Sequence, residues 1–173
     1  DSVGRVRDEI AAGGKVLWVS NTVRRVIDTA DRLPEMNPKV YHTRFKYGAR
    51  VDRHREVVGA FERGSRRPVV ACCSQVAEMS LDLNGCTLLL TDLCPVPALI
   101  QRLGRLNRDA VQGSPARPFI VVEPKKSAPY RDEELAEARE WLKGLSGREN
   151  LSQRDLVEQW AKTDRSEAPE TIA

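Results

Sequence analysis

The sequence predicts an α/β fold with an open, mainly parallel sheet and flanking helices, followed by a C-terminal helical extension. Five short apolar runs alternate with segments of helical periodicity, which is the pattern of parallel strands joined by helical crossovers. Two runs, 68–74 and 86–92, are strongly apolar, as expected for strands covered on both faces. The length of 173 residues and the hydrophobic content of 40% allow one ordinary core.

Local signals give the order of the elements. Gly13-Gly14 ends the first helical pattern, Ser20, Asn21 and Thr22 provide capping side chains for the second, and Pro34 stops it. In order, we expect helix 3–12, strand 15–19, helix 23–33, strand 39–43, helix 50–63, strands 68–74 and 86–92, a helix ending near residue 108, and strand 118–122.

The composition changes after Pro129, which predicts two units. Residues 1–128 would form the sheet domain, and residues 129–173 a helical extension or linker. An amphipathic helix is predicted over 131–145. Ser152 and Asp155 resemble a capping box for a second helix, with Leu151 and Leu156 placed as a hydrophobic staple.

The charge distribution favours one surface that faces a polyanion. The net charge is only +3, but residues 44–67 carry eight Lys/Arg and three Asp/Glu, whereas residues 131–173 carry seven basic and eleven acidic residues. Aromatic residues make up 5% of the chain, which excludes an array of base-stacking platforms. The chain begins at Asp1, so we expect a piece of a longer polypeptide.

The cysteines predict neither a metal site nor disulfides. They show no CxxC spacing and lie in or beside apolar runs, and with two histidines in the chain we expect no metal ion to be bound. Reduced thiols without a signal peptide predict a cytoplasmic protein, and no apolar run is long enough for a membrane span, so no membrane partner is expected.

A basic helix is predicted at the end of the apolar core region. At about 100° per residue, Gln101, Arg105 and Arg108 fall within about 60° of one another, opposite the leucines of the same helix. Guanidinium groups in a fixed row suit phosphate, although a solvated basic face is an equally good interpretation of the composition alone. The preceding loop, 74–82, follows a buried strand and favours a ligand site.

Two blocks in this region, SQVAEMSLDL at 74–83 and QRLGRLNR at 101–108, resemble motifs V and VI of superfamily 2 helicases, in the second of their two RecA-like domains. Ser80-Leu81-Asp82, and the His42-Thr43-Arg44-Phe45 block upstream, are most similar to the CRISPR-associated helicase–nuclease of type I systems. The resemblance covers about residues 15–122. Ser80 replaces the glycine of many relatives.

The resemblance implies a role for several residues. Arg108 and Arg105 would be arginine fingers in a composite ATPase site, with Gln101 in the phosphate network, and Asp82 would lie near the nucleotide ribose. Further nucleotide contacts are expected from Ser80 and Arg102. The expected contacts to the nucleic-acid backbone are Ser20, Asn21, Thr22, His42, Arg44, Ser74 and Gln75.

The cofactor implied is ATP with Mg²⁺, and it would be bound mainly by a first RecA-like domain. The chain has no GxxxxGK[ST] segment, and its Asp-Glu pairs fall inside helical patterns, so alone it should be inactive. The partners implied are single-stranded nucleic acid, favouring DNA, that first domain, and a crRNA-guided surveillance complex as recruiter. Composition does not distinguish DNA from RNA.

Two other hypotheses remain open at this point. The chain could be a non-hydrolysing RecA-like module that only binds nucleic acid, or a protein-interaction scaffold that uses the acidic C-terminal helices. An upstream Walker lysine and Asp-Glu pair would favour the helicase, and loss of polynucleotide binding at low salt would favour the scaffold.

Overall fold

The computed structural model describes residues 1–62, 64–79, 81–106, 108 and 114–164. Helices and strands alternate along most of this length, with one 3₁₀ turn, Pro34–Met36, after the second helix. The elements are α1 (Ser2–Ala11), β1 (Lys15–Val19), α2 (Val23–Ala30), β2 (Lys39–Tyr41), α3 (Tyr47–Ala60), β3 (Val69–Cys73), α4 (Val76–Met79), β4 (Leu88–Asp92), α5 (Val96–Leu103), β5 (Phe119–Val122), α6 (Asp132–Leu145) and α7 (Gln153–Asp164).

The five strands form one parallel sheet in the order β2-β3-β1-β4-β5. The predicted α/β class and the number of strands are therefore confirmed. Because all strands run in the same direction, their carboxyl ends meet at one edge of the sheet, and the loops that follow them are brought together there.

Both faces of the sheet are covered, as the apolar runs predicted. All five residues of β1 are buried, and the four after Lys15 alternate between two hydrophobic clusters. Leu17 and Val19 pack on one face with α3 and α5, whereas Val16 and Trp18 pack on the other with α1 and α2. A strand that is buried on both sides has no polar face, which explains why KVLWV lacks a two-residue alternation.

Helices α6 and α7 complete the first cluster. Leu135, Ala138 and Trp141 of α6 and Leu156 of α7 are buried in it, and both helices contact α5. The capping box at α7 forms as expected, since the Ser152 N–H donates to Asp155 at 2.7 Å and the Asp155 N–H donates to the Ser152 hydroxyl. The division of the chain at residue 129 stays a prediction.

Two local predictions were wrong. The helix expected to run to residue 108 ends at Leu103, and its axis does not continue through Arg105. The segment 74–82 was expected to be a loop, but it includes the four-residue helix α4. In the part of the chain that the structure describes, no helix combines the length and the hydrophobicity that a bilayer span requires.

Candidate functional site

Three polar residues lie side by side at the carboxyl edge of the sheet. Ser20, His42 and Ser74 each follow the last residue of a strand, and those strands are neighbours. The Ser20 N–H donates to the Cys73 carbonyl at 2.8 Å, and the Ser74 N–H donates to the Tyr41 carbonyl at 3.1 Å. The sheet pairing thus continues one residue beyond the strands and holds the three residues in a row.

Each residue of this row has a buried polar side-chain atom without a hydrogen-bond partner among the described residues. These atoms are the hydroxyl oxygens of Ser20 and Ser74 and Nδ1 of His42. Both serines are 1% exposed and His42 is 7% exposed. A buried polar atom left unpaired is costly, so three in one row indicate a place where water or a ligand completes the bonding.

His42 is fixed by its neighbours rather than free to act as an acid or base. Its ring stacks on Phe45 with centroids 4.1 Å apart and planes 1° apart. Burial, and secondarily the charge of Arg44, lower the pKa of His42. Both effects favour the neutral imidazole, and Arg44 is exposed beside it.

The turn between β1 and α2 contains three predicted nucleic-acid contacts, Ser20, Asn21 and Thr22, and their side chains have different environments. Thr22 caps α2, because its hydroxyl accepts from the Arg25 N–H at 3.3 Å. Asn21 is 1% exposed and points into the domain, where its amide donates to the Leu93 carbonyl at 2.7 Å. The Asn21 N–H donates to Asp92 at 2.9 Å. The Asn21 side chain is thus bonded inside the domain, and its contact with nucleic acid stays a prediction.

Gln75 joins the segment after β3 to the same turn. Its amide donates to the Asn21 carbonyl at 2.6 Å, and Gln75 itself is only partly buried. Two of the predicted strand-contacting segments are therefore directly hydrogen-bonded to each other.

Arg102 is completely buried, with 0% exposure, and lies at the centre of a polar cluster. Its guanidinium donates to Asn21 at 3.0 Å and to Thr91 at 2.9 Å, and it forms an ion pair with Glu78 at 2.8 Å. Arg25 closes the cluster from outside through a bidentate pair with Asp92 at 2.5 and 2.6 Å. We call these groups the Arg102 cluster: Asn21, Arg25, Glu78, Thr91, Asp92 and Arg102.

Arg102 is buried in this cluster, and its expected contact with the nucleotide stays a prediction. Asp92 and Glu78 were not identified as partners from the sequence. The signal for Asp92 was a carboxylate directly after the apolar run of the strand LLLTD, because a charge at a buried position requires a paired group.

Arg105 and Arg108 lie in the turn beyond α5 and face the segment after α4. Arg105 is half-buried and donates to the carbonyl oxygens of Glu78 and Leu81, the latter at 2.9 Å. Arg108 forms an ion pair with Asp82 at 3.2 Å, and their side chains are 44% and 70% exposed. We had expected both arginines on one outward helix face with Gln101. That arrangement was wrong, because α5 ends before them.

The three residues nevertheless line one open cavity. Gln101 is exposed at the end of α5 and borders, with Arg105 and Arg108, a cavity of about 860 Å³ that reaches β5 and the start of α7. Two further arginines, Arg117 and Arg148, border it as well. The predicted nucleotide contact Ser80 lies outside the described residues. Within the described ranges, no group of three His, Cys, Asp or Glu side chains could hold a metal ion.

Comparisons with known proteins identify the family of the chain. Residues 12–111 match the family model for the C-terminal region of the CRISPR-associated nuclease/helicase Cas3. A Cas3 nuclease/helicase of Myxococcus xanthus (strain DK1622) is 49% identical over 160 residues, which are 90% of this chain and 21% of the relative. The Escherichia coli (strain K12) endonuclease/helicase Cas3 is 33% identical over 61% of this chain and 12% of its own length.

Solved structures show the same fold. The crystal structure of T. fusca Cas3 with ATP matches 95% of this chain and 21% of that chain, with a TM-score of 0.77 and 24% identity. The Mycobacterium smegmatis helicase Lhr, bound to ssDNA and AMP-PNP, matches 83% of this chain and 19% of its own, with a TM-score of 0.55 and 20% identity. The chain spans about a fifth of the length of its first relatives. With a parallel RecA-like sheet, motifs V and VI in contact, and a family match over residues 12–111, the chain belongs to the Cas3-like C-terminal family of CRISPR-associated nuclease/helicases.

Proposed function

We propose that this chain is the second motor domain of an ATP-dependent superfamily 2 helicase/translocase that acts on single-stranded DNA in CRISPR interference. The contact between the two motif segments carries the proposal. Arg105 is bonded to the carbonyl of Leu81, and Arg108 is paired with Asp82. A movement of the arginine turn is therefore coupled to the segment that begins at Ser74 and Gln75.

Arg108 is the group that we assign to the γ-phosphate. Its guanidinium is 44% exposed, and among the described residues its ion-pair partner is Asp82, an exposed pair that contributes about 0–1 kcal/mol. A triphosphate in a closed cleft offers a stronger partner for the same planar fork. Arg105, with Gln101 beside it, would position the turn and add positive charge near the phosphates.

The nucleotide contact would be completed by another domain. The T. fusca Cas3 structures contain ATP, AMPPNP or ADP, and we infer that this chain also contributes to binding ATP. The Mg²⁺ ion and the attacking water need carboxylates next to a phosphate-binding lysine. We assign both to a first RecA-like domain, and place Asp82, with Ser80, near the ribose.

Our candidate contact for the nucleic-acid backbone is the row formed by Ser20, His42 and Ser74. Thr22 and Gln75 border this row. Its unpaired hydroxyls can donate to phosphate oxygens, and exposed Arg44 supplies charge beside them. One structural neighbour is a CRISPR RNA-guided surveillance complex, and another is a helicase bound to ssDNA. We extend both partners to this chain as part of the proposal.

In the mechanism, ATP draws the arginine turn toward the first domain, and Arg108 exchanges Asp82 for the γ-phosphate. The segment after β3 moves with the turn because Arg105 is bonded to it. Hydrolysis and release of phosphate remove the group that favoured closure, so the cleft reopens and the strand advances.

The test is Arg108→Ala in a polypeptide that joins this domain to its first RecA-like domain. We expect strand-dependent ATP turnover to fall roughly 10³-fold or more, with single-strand affinity nearly unchanged. Arg24→Ala is the matched control, since Arg24 is 84% exposed and paired only within α2. Equal turnover of Arg108→Ala and wild type would refute the assignment. Absence of turnover in the wild type, with strand binding intact, would favour the non-hydrolysing module.

A further inference from the structure

An exposed aromatic residue follows His42 of the proposed strand-binding row by five positions, and the packing of the domain does not explain it. Tyr47, the first residue of α3, is 76% exposed. A large aromatic side chain at such a position contributes little to the core, and isolated exposed tyrosines need no explanation. Tyr47 does need an explanation, because its neighbours are cations and aromatic rings.

A guanidinium group lies over the ring of Tyr47. The Arg50 side chain, one turn along α3, lies 5.8 Å from the ring centroid. The same pattern is repeated next to it, where Arg53 lies 5.6 Å from the centroid of Phe45, and Phe45 in turn stacks on His42. Two adjacent cation–aromatic pairs therefore extend outward from the end of β2.

Tyr47 also borders a cleft of suitable size for one planar group. The cleft has a volume of about 290 Å³, and opens between Tyr47, Arg50 and the Tyr41 ring at the end of β2. Its other walls are Val51, His54 and Arg55. A cleft lined by tyrosine and arginine side chains is a suitable environment for a nucleobase, because a base needs a stacking surface and a cation for its electron-rich face.

The charge around the cleft fits a polyanion that carries such bases. Between residues 44 and 55 the sequence has five Lys/Arg and one Asp, and Arg44 and Lys46 are exposed on the approach to α3. Strands of a sheet lie about 4.8 Å apart, so the step from Ser20 on β1 through Ser74 to His42 on β2 covers roughly 10 Å. Tyr47 borders the same cleft as Tyr41, the residue before His42, at the β2 edge of the sheet.

We propose that Tyr47, with Arg50 behind its ring, is a base-stacking platform for an unpaired nucleobase at the outer end of the strand-binding row. This inference rests on the proposed function, since it deepens the same nucleic-acid contact. The platform uses only the π-face of a base, so it tolerates any base and adds affinity without sequence preference. The low aromatic content excluded an array of base-stacking platforms, but a single stacking site needs only one exposed aromatic residue.

The test measures the affinity of the full chain for two fluorescent 12-mers at low salt, oligo-dT and a strand of the same length made of abasic sites. We expect wild type to bind oligo-dT more tightly, and Tyr47→Ala to lose about 5- to 150-fold of that affinity while binding the abasic strand as before. Tyr47→Phe and Tyr47→Trp should retain the preference. The salt dependence of binding should not change, since Tyr47 neutralises no phosphate.

Two controls separate stacking from charge and from folding. Arg44→Ala should weaken both strands alike and reduce the salt slope, and Val157→Ala, an exposed apolar residue on α7, should alter neither. Equal binding of both strands by wild type, or an unchanged preference in Tyr47→Ala, would overturn the platform and leave the backbone contact standing. If wild type binds neither strand, the proposed nucleic-acid contact fails as well.

Discussion

Nη1 of Arg108 lies 3.2 Å from Oδ1 of Asp82, so the arginine assigned to the γ-phosphate is paired within its own domain. This pair crosses from motif VI to motif V, the two segments that the mechanism needs to move together. Because both side chains are exposed, the pair is weak enough to exchange for a phosphate. Under the proposed function, Asp82 would pair with Arg108 until the γ-phosphate of ATP replaces it.

The first prediction concerns Asp82→Asn, which removes the charge and keeps a polar group for the ribose. The free energy of unfolding should change by less than about 1 kcal/mol, as for other exposed pairs. In a polypeptide with both motor domains, the KM for ATP should decrease by up to about fivefold, because Arg108 no longer has a competing carboxylate. Urea denaturation and steady-state ATPase assays measure the two effects. A loss of turnover as large as that of Arg108→Ala would instead place Asp82 in the chemistry.

The sequence predicted the sheet better than the site. Apolar runs such as KVLWV are read along the chain, and burial on both faces leaves a strong signal, so all five strands were identified. The Arg102 cluster could not be predicted in this way. Its members Asn21, Glu78 and Arg102 are up to 81 residues apart, and only the order of the strands brings them together.

The position of the arginine turn was missed for a local reason. The helical spacing of leucines continues through Leu99, Leu103 and Leu106. The sequence pattern therefore did not indicate that α5 ends at Leu103. Gly104 caps this helix in an ordinary right-handed conformation, without the positive φ that makes a C-terminal glycine recognisable. The contacts of Arg105 with backbone carbonyls then hold the turn, and no sequence pattern encodes such contacts.

A second prediction tests the structural role of Arg102. Arg102→Met should lower the free energy of unfolding by about 3–5 kcal/mol, because it leaves the carboxylate of Glu78 and buried acceptors of Asn21 and Thr91 without their donor. Urea denaturation followed by tryptophan fluorescence gives the value. Arg24→Met is the control, since its partner Asp28 is exposed, and should cost no more than about 1 kcal/mol. Similar losses for the two variants would show that the buried cluster adds no more than a surface pair.

A third prediction concerns the four cysteines, all of which are buried as free thiols. Burial raises the pKa of Cys72, Cys86 and Cys94 to about 12 and that of Cys73 well above its usual range. The thiolate is the reactive form, so the folded chain should react with a thiol reagent at pH 8 only as fast as it unfolds. In denaturant all four should react at once. Rapid labelling of one native thiol would show that the core opens locally at that position.

The last prediction follows from His42, whose pKa is lowered first by burial and then by the charge of Arg44. Since the folded state binds a proton less readily than the unfolded chain, stability is retained above the ordinary histidine value of 6.5 and is lost as the pH falls through it toward the lowered pKa. The difference in unfolding free energy between wild type and His42→Asn should therefore decrease between pH 7.5 and 5. An NMR titration of the two histidines, with His54→Asn used to assign them, should give His42 a midpoint below 6.5. A midpoint above that value would mean that a carboxylate, rather than burial, governs this ring. Addition of single-stranded DNA should raise the midpoint, because a phosphate near the row stabilises the protonated imidazole.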